Sequence, residues 1–208
     1  MKTEDLIKTL VQNAKPVRPV SSVSNRIFWW LVLTFFATTL GVSLFGLRSD
    51  ITEKLSDARF LFEIAILFII AVGSAIGALI LSVPAQDHRA FTRWLPLTGM
   101  GLWLFLIFAR ILGSDALHLD CAFSCIRDIA IIGLIPAAFL VWMIKRTAPT
   151  HLRLTATLLL LAGSAIGCIG VQLLCKSDEA LHGLLWHALP ALSFGALGLV
   201  LGRRLLRW

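Results

Sequence analysis

The sequence predicts an all-α membrane protein with six spanning helices, and three observations support this prediction. Apolar residues make up 58% of the 208 residues and charged residues only 15%, and the mean hydropathy is +0.85. A soluble domain carries about 25% charged residues, and a chain of this length cannot hide so much apolar surface in one aqueous core. Apolar runs long enough to cross a bilayer recur along the chain. These observations exclude a soluble globular enzyme and a disordered chain.

Each predicted span is an apolar run of about 20 residues, the length over which a helix satisfies its own backbone within hydrocarbon. The spans are predicted at about 27–47, 60–83, 94–112, 126–144, 152–174 and 184–201. The first is not expected to be a cleavable signal peptide, because it follows a long polar leader and exceeds the usual apolar length of such signals. Residues 27–208 are therefore predicted to form one six-helix transmembrane domain.

Residues 1–26 precede the first span and are predicted to form a cytoplasmic amphipathic segment. A short helix is expected from Met1 to about Ala14, and Pro16 ends it. Four apolar residues share one face of this helix: Leu6, Ile7, Leu10 and Val11. The segment is either a leader that lies on the membrane surface or a docking helix for a cytoplasmic partner.

Lysine and arginine are unevenly distributed between the connections, and cytoplasmic connections are usually the enriched ones. With both termini cytoplasmic, 13 of these residues lie inside, 5 lie outside and Arg110 lies within a span. We therefore expect both termini to be cytoplasmic. The same bias explains the net charge of +7 without binding of nucleic acid. Six tryptophans near span ends are expected to be interfacial anchors: Trp29, Trp30, Trp94, Trp142, Trp186 and Trp208.

Polar residues near the outer ends of five different spans are predicted to form a layer beneath the outer face. They are Glu63, Arg110, Asp128, Gln172 and His187. Ionisable groups within spans often mark a functional site. Glu63 and Arg110 are the expected ion pair, although Arg59 competes for Glu63 from the same helix face. The alternative is that helix ends tolerate polar groups and that Arg110 extends to the interface.

Three of the four cysteines are predicted on the outer side, and the sequence leaves three interpretations of them open. A soft metal ion such as zinc or copper is one, and its possible ligands are His118, Cys121, Cys125, Cys175 and His182. A reversible disulfide between Cys125 and Cys175 is the second. Structural disulfides or inert thiols are the third, since four cysteines allow three pairings. Cys168 lies deeper in the fifth span and is expected to be a small core residue.

The chain is not expected to be an enzyme. It contains no phosphate-binding loop, no His-Glu-x-x-His and no Gly-x-Ser-x-Gly motif, and no cofactor is expected apart from a sensed heavy-metal ion. A small transporter or channel with a polar site near the outer face is one alternative, although no charged residue lies near the predicted midplane, where transporters place their sites. An accessory membrane protein with structural disulfides is another.

Several short motifs follow one another along the chain in a defined order. They are the opening Met1–Ile7 and Pro16–Pro19 segments, Cys125 at the start of the fourth span, the Arg146–Pro149 connection, Cys175 followed by Asp178 and Glu179, Trp186 with His187, and the closing Leu205–Trp208. In this order, and over the whole chain, they resemble the NrsF-like proteins, the "negative regulator of sigma F" family of bacterial inner-membrane anti-sigma factors.

The resemblance implies a regulatory function. Members of this family hold an extracytoplasmic-function sigma factor at the membrane, away from RNA polymerase. Two outer-side cysteines help them to sense oxidative or heavy-metal stress, which releases the sigma factor. The matching positions here are Cys125 and Cys175. Cys121 and Cys168 lie outside the family pattern, and Cys121 can compete for the bond or add a metal ligand.

A two-state scheme follows from this resemblance. The four apolar residues of the leader helix pack against a groove of the sigma factor, and basic residues of the inner connections contact its acidic parts. These basic residues are Arg89, Arg93, Lys145 and Arg146. The connection Lys145–His151 joins the fourth and fifth spans and is expected to transmit a change at the cysteines. The expected partners are therefore a sigma factor and the lipid bilayer, with no direct binding of nucleic acid.

Overall fold

The computed structural model describes residues 3–12, 20–83, 91–113, 123–147 and 149–207. Within these ranges the structure is helical and contains no strand. The helices are α1 (Thr3–Gln12), α2 (Val23–Phe45), α3 (Ile51–Lys54), α4 (Ala58–Leu81), α5 (Phe91–Leu112), α6 (Phe123–Lys145), α7 (Leu152–Leu174) and α8 (Ala180–Leu205). Six of the described helices are long and apolar enough to cross a membrane, which confirms the predicted all-α class.

Local signals fix the ends of several helices. The Ser22 hydroxyl accepts a hydrogen bond from the Asn25 backbone N–H at 3.3 Å and caps α2, and the Asp57 carboxylate accepts one from the Arg59 N–H at 2.9 Å and caps α4. These groups satisfy backbone donors that have no partner within the helix. At the other end of α2, Gly46 adopts a φ of 92°. Since other residues rarely adopt this φ, glycine lets the chain leave the helix here.

The central helix is α7, which packs against α4, α6 and α8. Close approach of these helices depends on glycine. A Cβ atom at Gly167 would lie 2.3 Å from the Ile129 carbonyl oxygen of α6, and one at Gly198 would lie 2.3 Å from the Thr157 nitrogen of α7. The backbones therefore touch at positions where a side chain would separate the helices. α5 packs against α4, and α2 lies at the periphery against α6.

The antiparallel order of the spans gives the bundle two different ends. We call one the thiol end, which carries Arg48, Glu63, Arg110, Cys125 and Cys175 at the C-termini of α2, α5 and α7 and the N-termini of α4, α6 and α8. The opposite end holds the start of α2 and the end of α8. We call it the terminal end.

The prediction that Trp30 is an interfacial anchor is wrong. Its side chain is fully buried, and its indole Nε1–H donates to the Pro136 carbonyl oxygen at 3.1 Å. A buried tryptophan needs such an acceptor, and the contact fixes α2 against α6. Trp29, Trp94 and Trp142 are exposed, as anchors should be, and Trp208 lies outside the described residues.

The leader forms α1, whose described part runs from Thr3 to Gln12. Its side chains at Ile7 and Val11 are 55% and 69% exposed. The side chains of Leu6 and Leu10 lie outside the described part of the structure. Two apolar side chains of the predicted stripe are thus open to solvent or to a partner.

Candidate functional site

The start of α8 contains one turn of π-helix, over Gly183–Ala188. The Leu189 N–H donates to the Leu184 carbonyl oxygen, five residues back. Pro190 follows directly, and a proline within a helix removes a donor and clashes with the preceding turn, so a wider turn at this point relieves the crowding. Single π-turns are common at functional sites.

The π-turn brings two histidines to the same side of α8. In an α-helix, residues five apart project about 140° from one another. The wider turn removes most of this offset, and the rings of His182 and His187 meet edge to face with centroids 5.3 Å apart. Both side chains are buried. His182 was predicted as a possible metal ligand and His187 as part of the polar layer, and the fold brings them together.

Two cysteines complete a cluster around these histidines. Cys125 lies in the first turn of α6 and Cys175 directly follows α7. Their sulfur atoms are 3.8 Å apart, and the His182 Nε2 atom lies 3.7 Å from the Cys125 sulfur and 3.4 Å from the Cys175 sulfur. One ligand atom from each of Cys125, Cys175, His182 and His187 lies within 4.8 Å of all the others. We call these four residues the thiol–imidazole cluster.

The cluster is largely buried: Cys125, His182 and His187 are buried and Cys175 is half-buried. Its imidazole atoms His182 Nδ1 and His187 Nε2 are buried and have no hydrogen-bond partner among the described residues. Cys168 lies beside the cluster, fully buried, with its sulfur 3.6 Å from the His187 carbonyl oxygen. Its burial agrees with the predicted core role. His118 and Cys121, the other predicted ligands, lie outside the described residues.

The environment of Cys175 favours its thiolate. A hydrogen bond from the Cys125 thiol holds the pKa of the Cys175 thiol well below its usual value, and His187 lowers it further, while burial acts in the opposite direction. The thiolate is the form of cysteine that attacks oxidants and binds metals. The cluster can therefore undergo oxidation or hold a cation.

Beside the cluster lies an ion-pair network centred on Arg48. This guanidinium is 2% exposed, and it donates to the Asp50 carboxylate at 2.7 and 2.8 Å and to the Asp178 carboxylate at 3.2 Å. The Lys54 ammonium also binds Asp178, at 2.7 Å. The carboxylates raise the pKa of Arg48 above its ordinary value, with the Asp50 hydrogen bond as the largest cause. The network fixes the connection after α2 against the segment after α7.

A second polar group contains the predicted ion pair. The Arg110 guanidinium binds the Glu63 carboxylate at 2.7 Å, and the Gln172 amide donates to the other Glu63 oxygen at 3.1 Å. Arg110 also donates to the Asp178 carbonyl oxygen. These side chains and His187 line a cleft of about 300 Å³ at the thiol end. Arg59 lines the same cleft, but the partners of Glu63 come from α5 and α7.

Asp128 is the one predicted layer residue that lies apart from this cleft. Its carboxylate pairs with the neighbouring Arg127 at 2.8 Å. The predicted layer therefore divides into Asp128 on α6 and a cleft group of Glu63, Arg110, Gln172 and His187. Arg48 and Asp178 complete the thiol end. No site role was predicted for Arg48. The only signal in the sequence was its place just after a span, with Asp50 two residues later.

The segment 175–183 connects the cluster to both polar groups. It carries Cys175 and His182 of the cluster, and between them Asp178, which binds Arg48 and Lys54 through its carboxylate and Arg110 through its carbonyl oxygen. A displacement of Cys175 therefore also changes contacts that reach α2, α3 and α5. Segment 175–183 therefore connects the sulfur atoms to side chains of several other helices through direct contacts.

Among the described residues, the terminal end has fewer charged contacts than the thiol end. Arg26 is 5% exposed and donates to the Met143 carbonyl oxygen at 3.0 Å and to the Ser82 hydroxyl at 3.4 Å. Lys145 and Arg146 are exposed, and Arg146 stacks over the Trp142 ring at 3.8 Å from its centroid. Arg89 and the side chain of Arg93 lie outside what the structure describes. Exposed basic groups thus flank the α6–α7 connection.

Comparison with known proteins gives two matches. A family model described as "Negative regulator of sigma F", NrsF, matches residues 10–208. The "Probable anti-sigma-F factor NrsF" of Azospira oryzae (strain ATCC BAA-33 / DSM 13638 / PS) is 30% identical over 220 residues, an alignment that covers 100% of both chains. No solved structure matches the chain.

Proposed function

The chain belongs to the NrsF family of negative regulators of sigma F, and on this premise we propose that it is a redox-responsive membrane anti-sigma factor. It holds an extracytoplasmic-function sigma factor at the inner face of the bacterial inner membrane. Oxidation of Cys125 and Cys175 at the periplasmic face releases that sigma factor. The excess of Lys and Arg in the connections of the terminal end supports the cytoplasmic assignment of both termini.

One observation carries the sensing part of this proposal. Cys125 and Cys175, at the thiol ends of α6 and α7, have sulfur atoms 3.8 Å apart. The other ends of the same two helices are joined directly by residues 146–151. A change in the sulfur separation therefore acts on both α6 and α7. The connection between these two helices is the segment proposed to contact the sigma factor.

The redox step is a two-electron oxidation by hydrogen peroxide. The two thiols give up two electrons and two protons, a sulfur–sulfur bond forms, the peroxide O–O bond breaks, and two water molecules leave. A disulfide has a sulfur separation of about 2.05 Å, so the sulfur atoms must approach by almost 2 Å. Cys175 attacks first, since its thiolate is favoured, and Cys125 resolves the intermediate.

The expected energy is of the same order as a regulatory switch requires. A change from 1:99 to 99:1 between two states requires about 5.5 kcal/mol. A disulfide typically contributes about 2–4 kcal/mol. At the upper end of this range the ratio changes almost a thousandfold, from 1:99 to about 9:1. Most of the bound sigma factor would then be released.

The sigma factor is proposed to bind α1 and the basic connection. Ile7 and Val11 project from α1 with large exposed fractions, and an amphipathic helix that lays its apolar face into a groove is a common mode of recognition. Lys145 and Arg146 supply exposed positive charge at the start of the α6–α7 connection. Charge complementarity with acidic parts of the partner would steer association and fix its register.

Affinity capture on the full chain tests the docking part. The detergent-solubilised protein is immobilised, incubated with source lysate, and the bound proteins are identified by mass spectrometry. We expect capture of an extracytoplasmic-function sigma factor. The amount bound should fall at least tenfold in the double variant Ile7→Asp plus Val11→Asp. The matched control is Thr9→Asp with Gln12→Asp, which adds the same charge at two exposed positions on the opposite side of α1 from Ile7 and Val11 and should retain binding. Capture of no sigma factor, or equal loss with both pairs, contradicts this proposal.

Peroxide treatment of the captured complex tests the sensing part. Release should occur with the wild type and fail with Cys125→Ser plus Cys175→Ser, while the initial amount of bound sigma factor stays the same. Cys168→Ser is the control, because Cys168 is a buried thiol beside the cluster but has no sulfur partner in it. A double variant that still releases sigma factor on treatment would rule out these thiols as the sensor.

A further inference from the structure

We propose that the thiol–imidazole cluster is a tetrahedral binding site for Zn²⁺. Cys125, Cys175, His182 and His187 supply two thiolates and two imidazoles. Sets of two sulfur and two nitrogen donors in tetrahedral arrangement are typical of zinc. The ligands come from α6, from the residue after α7 and from the π-turn of α8, so the ion joins three spans at one point.

The distances within the cluster fit such a site. Zn–S bonds of about 2.3 Å place two thiolate sulfurs about 3.8 Å apart in a tetrahedron, and a Zn–N bond of about 2.0 Å places nitrogen about 3.5 Å from sulfur. The observed sulfur separation is 3.8 Å, and the His182 Nε2 atom lies 3.7 and 3.4 Å from the two sulfurs. The fourth donor, from His187, also falls within 4.8 Å of the rest, so small side-chain shifts would bring all four atoms into the first shell of one cation.

Burial and unmet hydrogen bonds support the assignment independently of these distances. His182 and His187 are 4% and 3% exposed, and each has a ring nitrogen without a hydrogen-bond partner among the described residues. A buried polar atom without a partner destabilises the fold. Of the two unpartnered atoms, the Nε2 atom of His187 is available to a cation, whereas the Nδ1 atom of His182 lies across the ring from the Nε2 atom that faces both sulfurs. A bound cation would engage that Nε2 atom of His182, a ring nitrogen of His187 and the two thiolates together. The unusual π-turn also has a reason under this proposal, because it orients His187 toward the other three ligands.

The zinc site is argued from the geometry of the cluster alone. Only its regulatory role rests on the proposed function. Zn²⁺ holds the two sulfur atoms apart at a fixed distance and keeps α6, α7 and α8 together. In the sensing step, two zinc-bound thiolates and one peroxide with two protons would give a disulfide, free Zn²⁺ and two waters. Metal content is measured on the purified protein without a sigma factor, so failure of either proposal is seen separately.

Zinc stoichiometry of the purified full chain in detergent tests the site. The protein is loaded with Zn²⁺, dialysed against metal-free buffer and analysed by mass spectrometry for metal and by amino-acid analysis for protein. We expect about one Zn²⁺ per chain, and at least a tenfold loss with Cys125→Ser plus Cys175→Ser. His187→Asn should reduce retention several-fold. Cys168→Ser should keep the wild-type value, because its sulfur lies outside the donor set.

X-ray absorption of the zinc-loaded wild type provides a test that needs no variant. Two sulfur ligands near about 2.3 Å and two nitrogen ligands near about 2.0 Å are expected. Zinc retention equal in wild type and in the cysteine double variant, an oxygen-only ligand shell, or no retained zinc would overturn the proposal. Because this measurement uses the folded wild type, poor folding of a variant does not affect it.

Discussion

The thiol end and the terminal end each bury an arginine, but they hold it differently. Arg48 at the thiol end is bound by two carboxylates, Asp50 and Asp178, at 2.7–3.2 Å. Arg26 at the terminal end donates to a carbonyl oxygen and a hydroxyl group, both neutral. The hydrogen bonds of both arginines are charge-assisted, but those of Arg48 also join opposite charges and are bidentate to Asp50. The thiol end is therefore the one held by ion pairs.

This difference bears on the proposed function. Segment 175–183 places the ion pairs of Asp178 between two cluster residues, Cys175 and His182, so a chemical change at sulfur would act on a connected polar network. The terminal end presents an exposed Lys145, and α1, which precedes this end in the chain, has Ile7 and Val11 exposed. A sensor gains from a rigid, connected site, and a docking surface gains from accessible groups. Under the proposed function the two would lie at opposite ends of one bundle.

The largest expected effect distinguishes the two arginines. Arg48→Met should lower the free energy of unfolding by about 2 kcal/mol, because it removes hydrogen bonds to two charged groups; solvent screens part of the loss, since the Asp50 and Asp178 side chains are 37% and 46% exposed. Arg26→Met should cost only about 1 kcal/mol, since it leaves neutral acceptors. Denaturant unfolding in detergent micelles, followed by tryptophan fluorescence, measures both. Equal losses would show that the two ends are fixed to the same degree.

A second prediction concerns the contact of α6 and α7 below the cluster. Gly167→Ala should destabilise the protein by about 1–3 kcal/mol, because the new Cβ atom would lie 2.3 Å from the Ile129 carbonyl oxygen. Gly101→Ala on α5 is the matched control, with nothing within 4 Å of its Cβ position. Alanine there should be neutral or slightly stabilising, since glycine weakens a helix interior. Thermal unfolding compares the pair, and equal effects would contradict the close contact.

The smallest expected effect is a dependence on acid that belongs to the thiol end. Burial raises the pKa of Asp178, but hydrogen bonds from Arg48 and Lys54 outweigh it and leave the pKa below its usual value. Its stabilising contribution is therefore complete above the ordinary aspartate pKa of about 3.9 and is lost as the pH falls through the lower folded value.

Thermal midpoints recorded from about pH 6 to about pH 3 measure this dependence. The wild type should lose stability more steeply at the acid end than Asp178→Asn does. Arg26→Met should retain the wild-type slope, because its contacts carry no carboxylate. An Asp178→Asn variant with an unchanged slope would show that the network does not contribute to acid stability.

The cleft group shows which contacts could be predicted from the sequence. Glu63 and Arg110 were paired because both lie near the outer ends of neighbouring antiparallel spans, where depth alone brings them close. Gln172 was placed at the same depth for the same reason. Arg48 was counted only as an outer charge, because nothing near it in sequence indicates that Asp178, 130 positions later, covers it. Depth follows from span position, whereas the neighbour at that depth depends on how the helices pack.

Composition and the spacing of apolar runs by themselves determined the six spans, because a backbone in hydrocarbon must satisfy its hydrogen bonds within the helix. They also determined that the polar side chains gather at helix ends. Only the tertiary structure decided which of them meet. The π-turn before Pro190 turns His187 toward His182, and glycine contacts such as Gly167 bring α6 and α7 close enough for Cys125 to face Cys175. Neither effect follows from helical periodicity, because one departs from it and the other depends on contact between distant helices.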